Sequence, residues 1–298
     1  YTMKFIGAPF TFQLEQVGTN CGLIGQNAVV EIDGAAFWLS SKGFFLYDGT
    51  VKSIPCTVED FVYDNFDTTK GQQVAAGLNN LYTEITWYYP SSGSEYNDKY
   101  VVFNYGESAG VPGGVWYTGT EARTSWIDSN VYPNPFATKY DVSSDGTFPV
   151  IIGQDSLGQT TYFEHEVGTD QVNPNGSTTT VTSFIESFDI DLQQRSQDAK
   201  GRSTGPKVAG EIFLAMRRFI PDFKNLQGNA KVSLDVKRYP QQTSSQTALS
   251  PFTITSSTDK KDTRARGRFI SVKIENDASS ESWRFGTLRL DLQPDGRR

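Results

Sequence analysis

A single histidine, His165, limits the nucleophilic chemistry that this chain of 298 residues can perform. A Ser-His-Asp or Cys-His triad would have to use His165 as its base. The surrounding segment, 162–167, alternates as a β-strand, which puts Glu164 and Glu166 on one face and His165 on the other. We therefore expect a structural histidine and no catalytic triad.

The two cysteines, Cys21 and Cys56, are the only thiols available for metal binding or disulfide formation. They form no CxxC pair and no Cys/His cluster, which excludes a structural zinc site of the usual kind. We expect both to be free and buried. The sequence leaves a disulfide between them open.

Acidic side chains recur at two places without the spacing of a known site. Asp60, Asp64 and Asp67 lack the DxDxDG pattern and the turn glycine of a calcium loop, so they indicate a solvated or turn-capping cluster. Asp189 and Asp191 share one strand face, but no second element with a facing carboxylate is recognisable, as a glycosidase would need.

A glycine-containing loop, 201–207, superficially resembles a phosphate-binding loop. Its spacing differs from GxxxxGK[ST], and Pro206 removes a backbone N–H that phosphates would need. Taken with the other motifs, this predicts no catalytic residue, no cofactor and no metal site, so the chain is not expected to be an enzyme.

A basic cluster near the end of the chain is the sharpest chemical feature. Three of its arginines alternate and would line one face of an extended strand over about 13 Å. The candidate subunit-interface residues are Lys260, Lys261, Arg264, Arg266, Arg268, Arg284 and Arg289. Arginine suits such interfaces because its planar fork binds carboxylates in a bidentate manner. The alternative is pairing within the chain, with Asp259, Asp262, Glu275 and Asp291.

Charge is distributed unevenly along the chain. Residues 1–194 contain 7 Lys and Arg against 23 Asp and Glu, whereas residues 195–298 contain 20 against 11. The net charge of −7 therefore combines an acidic part with a basic part. The acidic part should repel nucleic acid, and the basic part could contact an acidic protein surface or phosphates.

Short strands must position these residues, because helical periodicity is almost absent. Four apolar-rich runs between residues 28 and 56 are separated by Asp-Gly and other turn signals, which is the size of one propeller blade. Similar groups begin near Tyr82 and near Pro149. We therefore predict an all-β fold with β-propeller-like blades of short antiparallel strands, followed by a second antiparallel β-domain. The alternative is a β-sandwich.

The predicted domain boundaries follow a change in composition. We expect a propeller-like β region at 1–172, a linker at 173–180 and a C-terminal antiparallel β region at 181–298. Within the last region, 268–275 and 282–292 predict a long antiparallel hairpin. The aromatic runs, such as 87–89 and 116–117, are expected to pack in the core rather than to stack on sugars or bases.

Composition excludes several further classes. With 37% hydrophobic residues the chain is too apolar to be disordered, and no run approaches the 18 apolar residues of a membrane span. No signal peptide is visible at the start. Because residue 1 is not methionine, we expect the chain to be part of a longer polypeptide.

Several longer strings resemble the C-terminal half of tail proteins from short-tailed bacteriophages, of the nozzle or head-to-tail stabilisation class. The resemblance extends from about Gly18 to Arg298. It rests on extended runs of residues that occur in the same order, and not on a catalytic motif. The strings are WLSSKGFFLYDG from residue 38, LYTEITWYYPSSGSEYNDKYVVFNY from 81, ARTSWIDSNVYPNP from 122, YFEHEVGTD from 162, RARGRFISVKIEN from 264 and SWRFGTLRLDLQPDGRR from 282.

The resemblance implies a structural virion protein located in the tail and assembled in the cytoplasm of the bacterial host. It implies a ring of identical subunits, typically a hexamer, that continues the DNA channel from the head. The expected partners are further copies of the chain and other phage tail or adaptor proteins, with genomic DNA only as passing cargo and no membrane span. The alternative is a glycan-binding or glycan-cleaving propeller used in host attachment.

Overall fold

The chain divides into two compact units, Tyr1–Val167 and Gly168–Arg298. The sequence placed the first boundary at residue 172 and a linker at 173–180. Thr178–Thr180 instead forms a strand that pairs with Asp170–Val172 in the second unit. A computed structural model describes residues 1–141, 159–172, 176–192, 212–242, 249–276 and 278–296.

Unit 1 is built almost entirely of short antiparallel strands. Its helical elements in the described residues are α1 (Glu59–Tyr63) and a 3-10 helix at Thr68–Gln73. Its strands are β1 (Thr2–Phe5), β2 (Phe12–Glu15), β3 (Val29–Ile32), β4 (Ala35–Ser40), β5 (Gly43–Tyr47), β6 (Val51–Ile54), β7 (Ala75–Asn79), β8 (Glu84–Tyr89), β9 (Lys99–Asn104), β10 (Val115–Gly119), β11 (Ser125–Ile127), β12 (Phe136–Asp141) and β13 (Gln159–Glu164).

These strands form successive meanders. Strands β3 to β6 make one four-stranded sheet, β7 to β10 make a second, and β11 to β13 make a three-stranded sheet. The first strand of each sheet contacts the first strand of the next, β3 with β7 and β7 with β11. Consecutive propeller blades adjoin in this way. The predicted all-β class, with blade-like antiparallel sheets, is confirmed.

Tight turns close the hairpins where the sequence predicts them. Asp33 and Gly34 both have positive φ, at 51° and 81°, as a two-residue turn between β3 and β4 requires. The Gly34 N–H donates to the Glu31 carboxylate at 2.7 Å, which fixes the turn further. Turn chemistry and strand pattern therefore agree at this hairpin.

Aromatic rings fill the space between the first two sheets. Phe44 of β5 packs on Trp116 of β10 at 4.6 Å and on Trp87 of β8 at 5.1 Å between ring centroids. Trp87 is fully buried, and its indole N–H donates to the Ala28 carbonyl at 3.0 Å. The prediction that the aromatic runs pack in the core is confirmed for 87–89 and for Trp116, and it is wrong for Tyr117, which is 41% exposed.

One strand of unit 1, at the edge of the second sheet, has no strand signal in the sequence. Strand β7 (AAGLN) has no β-branched or aromatic residue, which are the residues that mark strands in a sequence. Its small residues allow close approach instead: a Cβ on Gly77 would lie 2.5 Å from Cγ of Trp126 on β11. The third sheet therefore packs against β7 at a glycine.

Unit 2 consists of strands that pair over long sequence distances. The strands are β14 (Asp170–Val172), β15 (Thr178–Thr180), β16 (Phe184–Glu186), β17 (Leu214–Ile220), β18 (Phe223–Gln227), β19 (Ala230–Lys237), β20 (Phe252–Ile254), β21 (Lys261–Gly267), β22 (Phe269–Glu275), β23 (Ser282–Phe285) and β24 (Arg289–Pro294). They form a four-stranded sheet in the order β16-β22-β19-β20, a three-stranded sheet in the order β21-β17-β24, and the pairs β14-β15 and β18-β23.

Alternation along the strands produces the core of unit 2. In β19, Ala230, Val232, Leu234 and Val236 are buried, and the residues between them are partly exposed. These side chains belong to one buried cluster with Leu214, Met216 and Phe219 of β17 and Ile270, Val272 and Ile274 of β22. The second antiparallel β-domain that the sequence predicts is therefore present.

The predicted hairpin between 268–275 and 282–292 is wrong. Strand β22 pairs with β16 and β19, and the region 282–292 divides into β23, which pairs with β18, and β24, which pairs with β17. Asp222 stabilises the segment between β23 and β24 through two hydrogen bonds. Its carbonyl accepts from the Gly286 N–H at 2.8 Å, and its carboxylate accepts from the Thr287 N–H at 3.1 Å.

Candidate functional site

The arginine stripe predicted from the sequence lies on β21, an edge strand of the three-stranded sheet. Arg264 and Arg266 are exposed on one face, and Ala265 and Gly267 between and beyond them are buried. Arg268 follows the end of the strand, where its N–H donates to the Lys237 carbonyl at 2.9 Å. Two of the three arginines therefore share the predicted face of a strand.

Arg266 has partners within its own chain. Its Nε donates to the Asp295 carboxylate, and its Nη2 donates to the Asp295 carbonyl at 3.2 Å. The guanidinium also lies 4.5 Å from the ring centroid of the buried Phe213. Both charged side chains remain about half exposed, at 47% and 48%, so the ion pair is a surface pair.

Arg268 occupies a different environment. Its guanidinium lies 5.2 Å from the ring centroid of Phe213 and 5.8 Å from that of Tyr239. Its Nε is buried without a hydrogen-bond partner among the described residues. Stacking on two aromatic rings therefore holds this arginine more than ion pairing does.

The remaining candidate interface residues are of two kinds: cations with a partner in the chain, and available cations, which have no carboxylate partner among the described residues. Arg289 pairs with Asp222 at 3.2 Å, and the Lys261 ammonium lies 5.9 Å from the Phe252 ring. Lys260, Arg264 and Arg284 are exposed, and no carboxylate of the described residues pairs with them.

Two of the four acids named as alternative intrachain partners pair with other bases. Asp262 pairs with Arg218 at 3.0 Å, and Glu275 pairs with Lys231 and Lys273. The predicted stripe is therefore not neutralised by the carboxylates that its sequence neighbourhood offers.

Unit 1 contains a polar cluster that the sequence did not indicate. Neighbouring strands β7, β8 and β9 bring Asn79, Glu84 and Asn104 side by side on one face, because Glu84 is in register with both asparagines. Asn79 Nδ2 donates to Glu166 Oε1 at 3.0 Å, and Asn104 Nδ2 lies 3.5 Å from Glu84 Oε1. Asn79 thus lies between two carboxyl groups that are distant in sequence.

The two carboxyl groups are shifted toward their protonated forms. Burial raises the pKa of Glu84, although hydrogen bonds from Tyr117 and Asn104 oppose the shift. The pKa of Glu166 is raised by burial and by the charges of Glu84 and Glu121, against a hydrogen bond from Asn79. Glu166 is exposed at the surface, so water moderates this effect.

His165 precedes Glu166 in the chain and lies just beyond the end of β13, so the predicted strand alternation over 162–167 does not extend to these two residues. Its Nε2 accepts a hydrogen bond from Nε of the buried Arg123 at 2.8 Å, and its ring packs on Trp126 at 4.6 Å. Burial and the positive charge of Arg123 lower the pKa of His165 to about 4. His165 is therefore neutral and fixed in place, with the contacts of a structural histidine.

The other predicted sites show packing and capping roles. Asp67 accepts from the Thr69 N–H at 3.1 Å and caps the 3-10 helix, as a turn-capping residue would. Cys21 and Cys56 are free and half-buried. Within the described ranges no group of His, Cys, Asp and Glu could hold a metal ion, and no helix is long and apolar enough to cross a membrane. The loop 201–207 lies outside the described residues.

Comparisons with known proteins give little further information. No family model and no curated protein matches the chain. Among solved structures, an exo-β-1,3-galactanase from Phanerochaete chrysosporium, crystallised with galactose, is similar over 89% of this chain and 66% of that chain, so the chain spans just under two thirds of its length. The sequences are 9% identical and the TM-score is 0.24, a similarity too low to support an argument about activity.

Proposed function

We propose that this chain is a structural subunit of the tail nozzle of a short-tailed bacteriophage. Identical copies assemble into a closed ring, expected to be a hexamer, that continues the DNA channel from the head. The protein has no catalytic role and no cofactor in this proposal. Its location is the virion tail, after assembly in the cytoplasm of the host, and other tail or adaptor proteins contact the ring.

The opposite charge of the two units is the observation that supports this proposal. Residues 1–167 contain 7 basic and 19 acidic side chains, and residues 168–298 contain 20 basic and 15 acidic ones. A contact between unit 1 of one copy and unit 2 of the next is therefore attractive. Contacts between two different faces of one chain generate closed rings when the rotation between copies closes.

Available cations on unit 2 suit such a contact. Lys260, Arg264 and Arg284 are exposed without a carboxylate partner among the described residues. The acidic part of the chain, in contrast, suits a wall along which DNA passes, because a wall that neutralises phosphates would release counterions and retain the DNA. Binding to duplex DNA is expected to be weak at physiological salt.

The mass of the native assembly tests the proposal. We expect a single oligomer, six times the subunit mass, that weakens as salt rises because charges beyond about 8 Å are screened at 0.15 M. The double variant Lys260→Glu/Arg264→Glu should dissociate the oligomer while the subunit stays folded. Lys42→Glu, an exposed lysine in unit 1, is the matched control and should have no effect. A monodisperse monomer at micromolar concentration in low salt would contradict the proposal.

The DNA channel is tested separately by titration with duplex DNA. Sub-micromolar affinity at 150 mM salt that disappears on changing Arg264, Arg266 and Arg268 to alanine would identify the stripe as a DNA-binding site. That result would contradict a passive channel.

The polar cluster of unit 1 favours a second candidate function, a glycan-binding or glycan-cleaving propeller used in host attachment. Asn79 donates a hydrogen bond to Glu166 and is in register with Glu84, which brings the two carboxyl groups near each other. Burial raises the pKa of each, as the general acid of a glycosidase requires. Tyr117, which is 41% exposed and hydrogen-bonded to Glu84, supplies an aromatic ring for a sugar to stack on.

Glycan-array binding and release of reducing sugar separate the two candidates. If the second holds, the wild type binds or cleaves a glycan, and Glu84→Gln and Glu166→Gln each lower cleavage by at least about 100-fold. Glu107→Gln, a glutamate in an exposed loop of the same unit, is the control. If the wild type binds no glycan and releases no sugar, the second candidate function is rejected and the structural function is the one that stands.

A further inference from the structure

A small pocket opens on unit 2 between strand β18 and the segment that follows β20. Its volume is about 350 Å³, at the lower end of the range of about 300–1,000 Å³ that is typical of small-molecule sites. The described residues that line it all belong to unit 2. A pocket of this size suits a small ligand, such as one built on a single ring.

The floor of the pocket is apolar and fixed in place. Ile254 is 1% exposed and belongs to the core of unit 2. Phe223 and Leu226 are partly buried and pack against the same core, and Pro221 completes the floor. The ring of Phe223 contacts two aromatic rings of β23, at 5.4 and 6.1 Å between centroids. An apolar ligand surface would therefore pack on a floor that is already ordered.

The rim of the pocket is polar, and none of the described lining residues is charged. Thr255 and Thr258 form a turn of their own. The Thr258 N–H donates to the Thr255 carbonyl at 3.0 Å, and the Thr258 hydroxyl accepts from the Thr255 N–H at 3.0 Å. The Asn225 amide and the Ser256 hydroxyl are exposed and form no hydrogen bond with a described residue. The pocket thus offers a free amide and a free hydroxyl to a ligand.

A β-bulge places Asn225 at the edge of the pocket. The register between β18 and β23 shifts between Lys224 and Gln227, so two residues, Asn225 and Leu226, lie opposite one residue of β23. Asn225 has a φ of 55°, in the left-handed region, where glycine is favoured and asparagine is tolerated. Bulges redirect side chains and are frequent beside functional sites. Because glycine suits this backbone, the amide can be removed without disturbing the fold.

The neutral walls and the division into floor and rim select the ligand. A phosphate, a carboxylate or an ammonium group would lose water without gaining an opposite charge in the pocket. A purely apolar ligand would cover the free amide and the free hydroxyl and leave both without a hydrogen bond. A pyranose ring fits both surfaces, because its C–H groups can pack on the aromatic floor and its hydroxyl groups can pair with the rim. A side-chain amide both donates and accepts, as neighbouring hydroxyl groups require.

We propose that this pocket of unit 2 binds a neutral pyranose, with Asn225 and Ser256 as its hydrogen-bonding residues and Phe223 as its aromatic wall. Sugar binding here goes beyond the proposed function, since it needs neither the ring nor the opposite charges of the two units. It is also distinct from the candidate glycan site of unit 1, which uses Glu84 and Glu166.

Binding of simple glycosides to the full chain tests this inference. The probes are the methyl pyranosides of glucose, galactose, mannose and N-acetylglucosamine, and the measurement is saturation-transfer NMR followed by titration. We expect at least one probe to bind, with a dissociation constant that is the same at about 0.05 M and about 0.5 M salt, because no charged group takes part. Methyl glucuronide, which has a carboxylate, should not bind.

The decisive variant is Asn225→Gly. It removes the amide and keeps the left-handed backbone, so the dissociation constant should rise about 10-fold while thermal unfolding changes little. Asn20→Gly is the matched control, because Asn20 is an exposed asparagine of unit 1 with a φ of 57°, and this variant should bind the sugar like the wild type. Ser256→Ala, at a second exposed position of the rim, should weaken binding by a smaller factor.

Weaker binding in Asn225→Gly, with Asn20→Gly unchanged, would support the inference. The inference is overturned if none of the neutral probes binds, or if Asn225→Gly binds the sugar as tightly as the wild type. Binding that Glu84→Gln abolishes and Asn225→Gly keeps would place the sugar in unit 1 and would also overturn it. The proposed function fails separately: a monomeric wild type that binds the sugar through Asn225 would contradict the ring and support the pocket.

Discussion

Units 1 and 2 are both built of antiparallel strands, but different residues fill their cores. The core of unit 1 is largely aromatic, with Phe44, Trp87 and Trp116 at its centre. The core of unit 2 is mainly aliphatic, with valine, leucine and isoleucine on β19 and β22. The two cores show two ways to pack sheets together. Unit 1 uses a few large rings that also form hydrogen bonds, and unit 2 uses many aliphatic side chains at alternate positions of its strands.

The tryptophans make this difference concrete. All four tryptophans of unit 1 donate their indole N–H to a main-chain carbonyl, at distances of 2.8 to 3.0 Å. The acceptors belong to other segments of the chain: Trp38 to Cys21, Trp87 to Ala28, Trp116 to Pro55, and Trp126 to Leu78. In unit 1 a single side chain therefore supplies both packing and polar pairing, so few positions should tolerate substitution.

The largest expected effect is at Trp87. Trp87→Ala should lower the free energy of unfolding by about 3–5 kcal/mol, because it removes a fully buried ring together with its hydrogen bond to the Ala28 carbonyl. Ile270→Val, in the core of unit 2, should cost only about 0.5–1.5 kcal/mol. Denaturant unfolding followed by tryptophan fluorescence and by circular dichroism measures both. An equal loss in the free energy of unfolding at the two positions would contradict the proposed difference between the two cores.

A smaller effect is expected where the third sheet meets β7. Gly77→Ala should cost about 1–3 kcal/mol, since the added Cβ would overlap Trp126 and the indole would have to move. Gly22→Ala is the matched control, because no atom lies within 4 Å of its added Cβ and its φ is not positive. Thermal unfolding of both variants is the measurement, and equal stability would show that the packing at Gly77 is adaptable.

Unit 1 should also lose stability in mild acid through His165. Its folded pKa is lowered to about 4 from 6.5, so the unfolded chain takes up the proton first as pH falls. Stability present above pH 6.5 should therefore decline between pH 6.5 and pH 4, by about 1–2 kcal/mol after solvent screening. His165→Gln keeps an acceptor for Arg123 and should lack this part of the pH profile. The measurement is the free energy of unfolding as a function of pH. The same dependence in wild type and variant would contradict a role of His165 in this loss of stability.

The smallest effect is expected on the surface of unit 2. Arg266→Ala should cost about 1 kcal/mol or less, because the pair with Asp295 is half exposed. A buried pair would cost roughly 3–5 kcal/mol when broken. Arg264→Ala should cost less still, since no described carboxylate pairs with Arg264. A large loss of stability at Arg266, measured by thermal unfolding, would show that the stripe is structural.

Much of the strand pattern could be predicted because local rules decide it. Strands β3 to β6 lie within residues 28–56, where the sequence predicts four short strands, since β-branched and aromatic runs there are separated by turn residues. Strand β7 could not be predicted, because its alanines and glycine have weak strand preference and contact with neighbouring sheets determines it. The wrong hairpin at 268–292 has the same origin, since pairing partners in unit 2 are distant in sequence.

The candidate site follows the same division. The arginine alternation at Arg264 and Arg266 was visible in the sequence because strand periodicity alone puts both on one face. Nothing in the sequence connects Glu84 to Glu166, because strand register and the position of Asn79 bring them together. The partner of Arg266 could not be predicted either. Arg266 lies on β21 and Asp295 directly follows β24, and these two strands are brought together only because both flank β17 in the three-stranded sheet.

The meander topology of unit 1 has a consequence for the order of folding. Each strand from β3 to β6 and from β7 to β10 pairs with its sequence neighbour, so each sheet can form as soon as its last strand has left the ribosome. Unit 2 differs, because β17 pairs with β24 and β16 pairs with β22. Its three-stranded sheet cannot close until β24 has been synthesised. Unit 1 should thus be folded while unit 2 is still incomplete, and contacts between copies that use unit 2 form later than the core of unit 1.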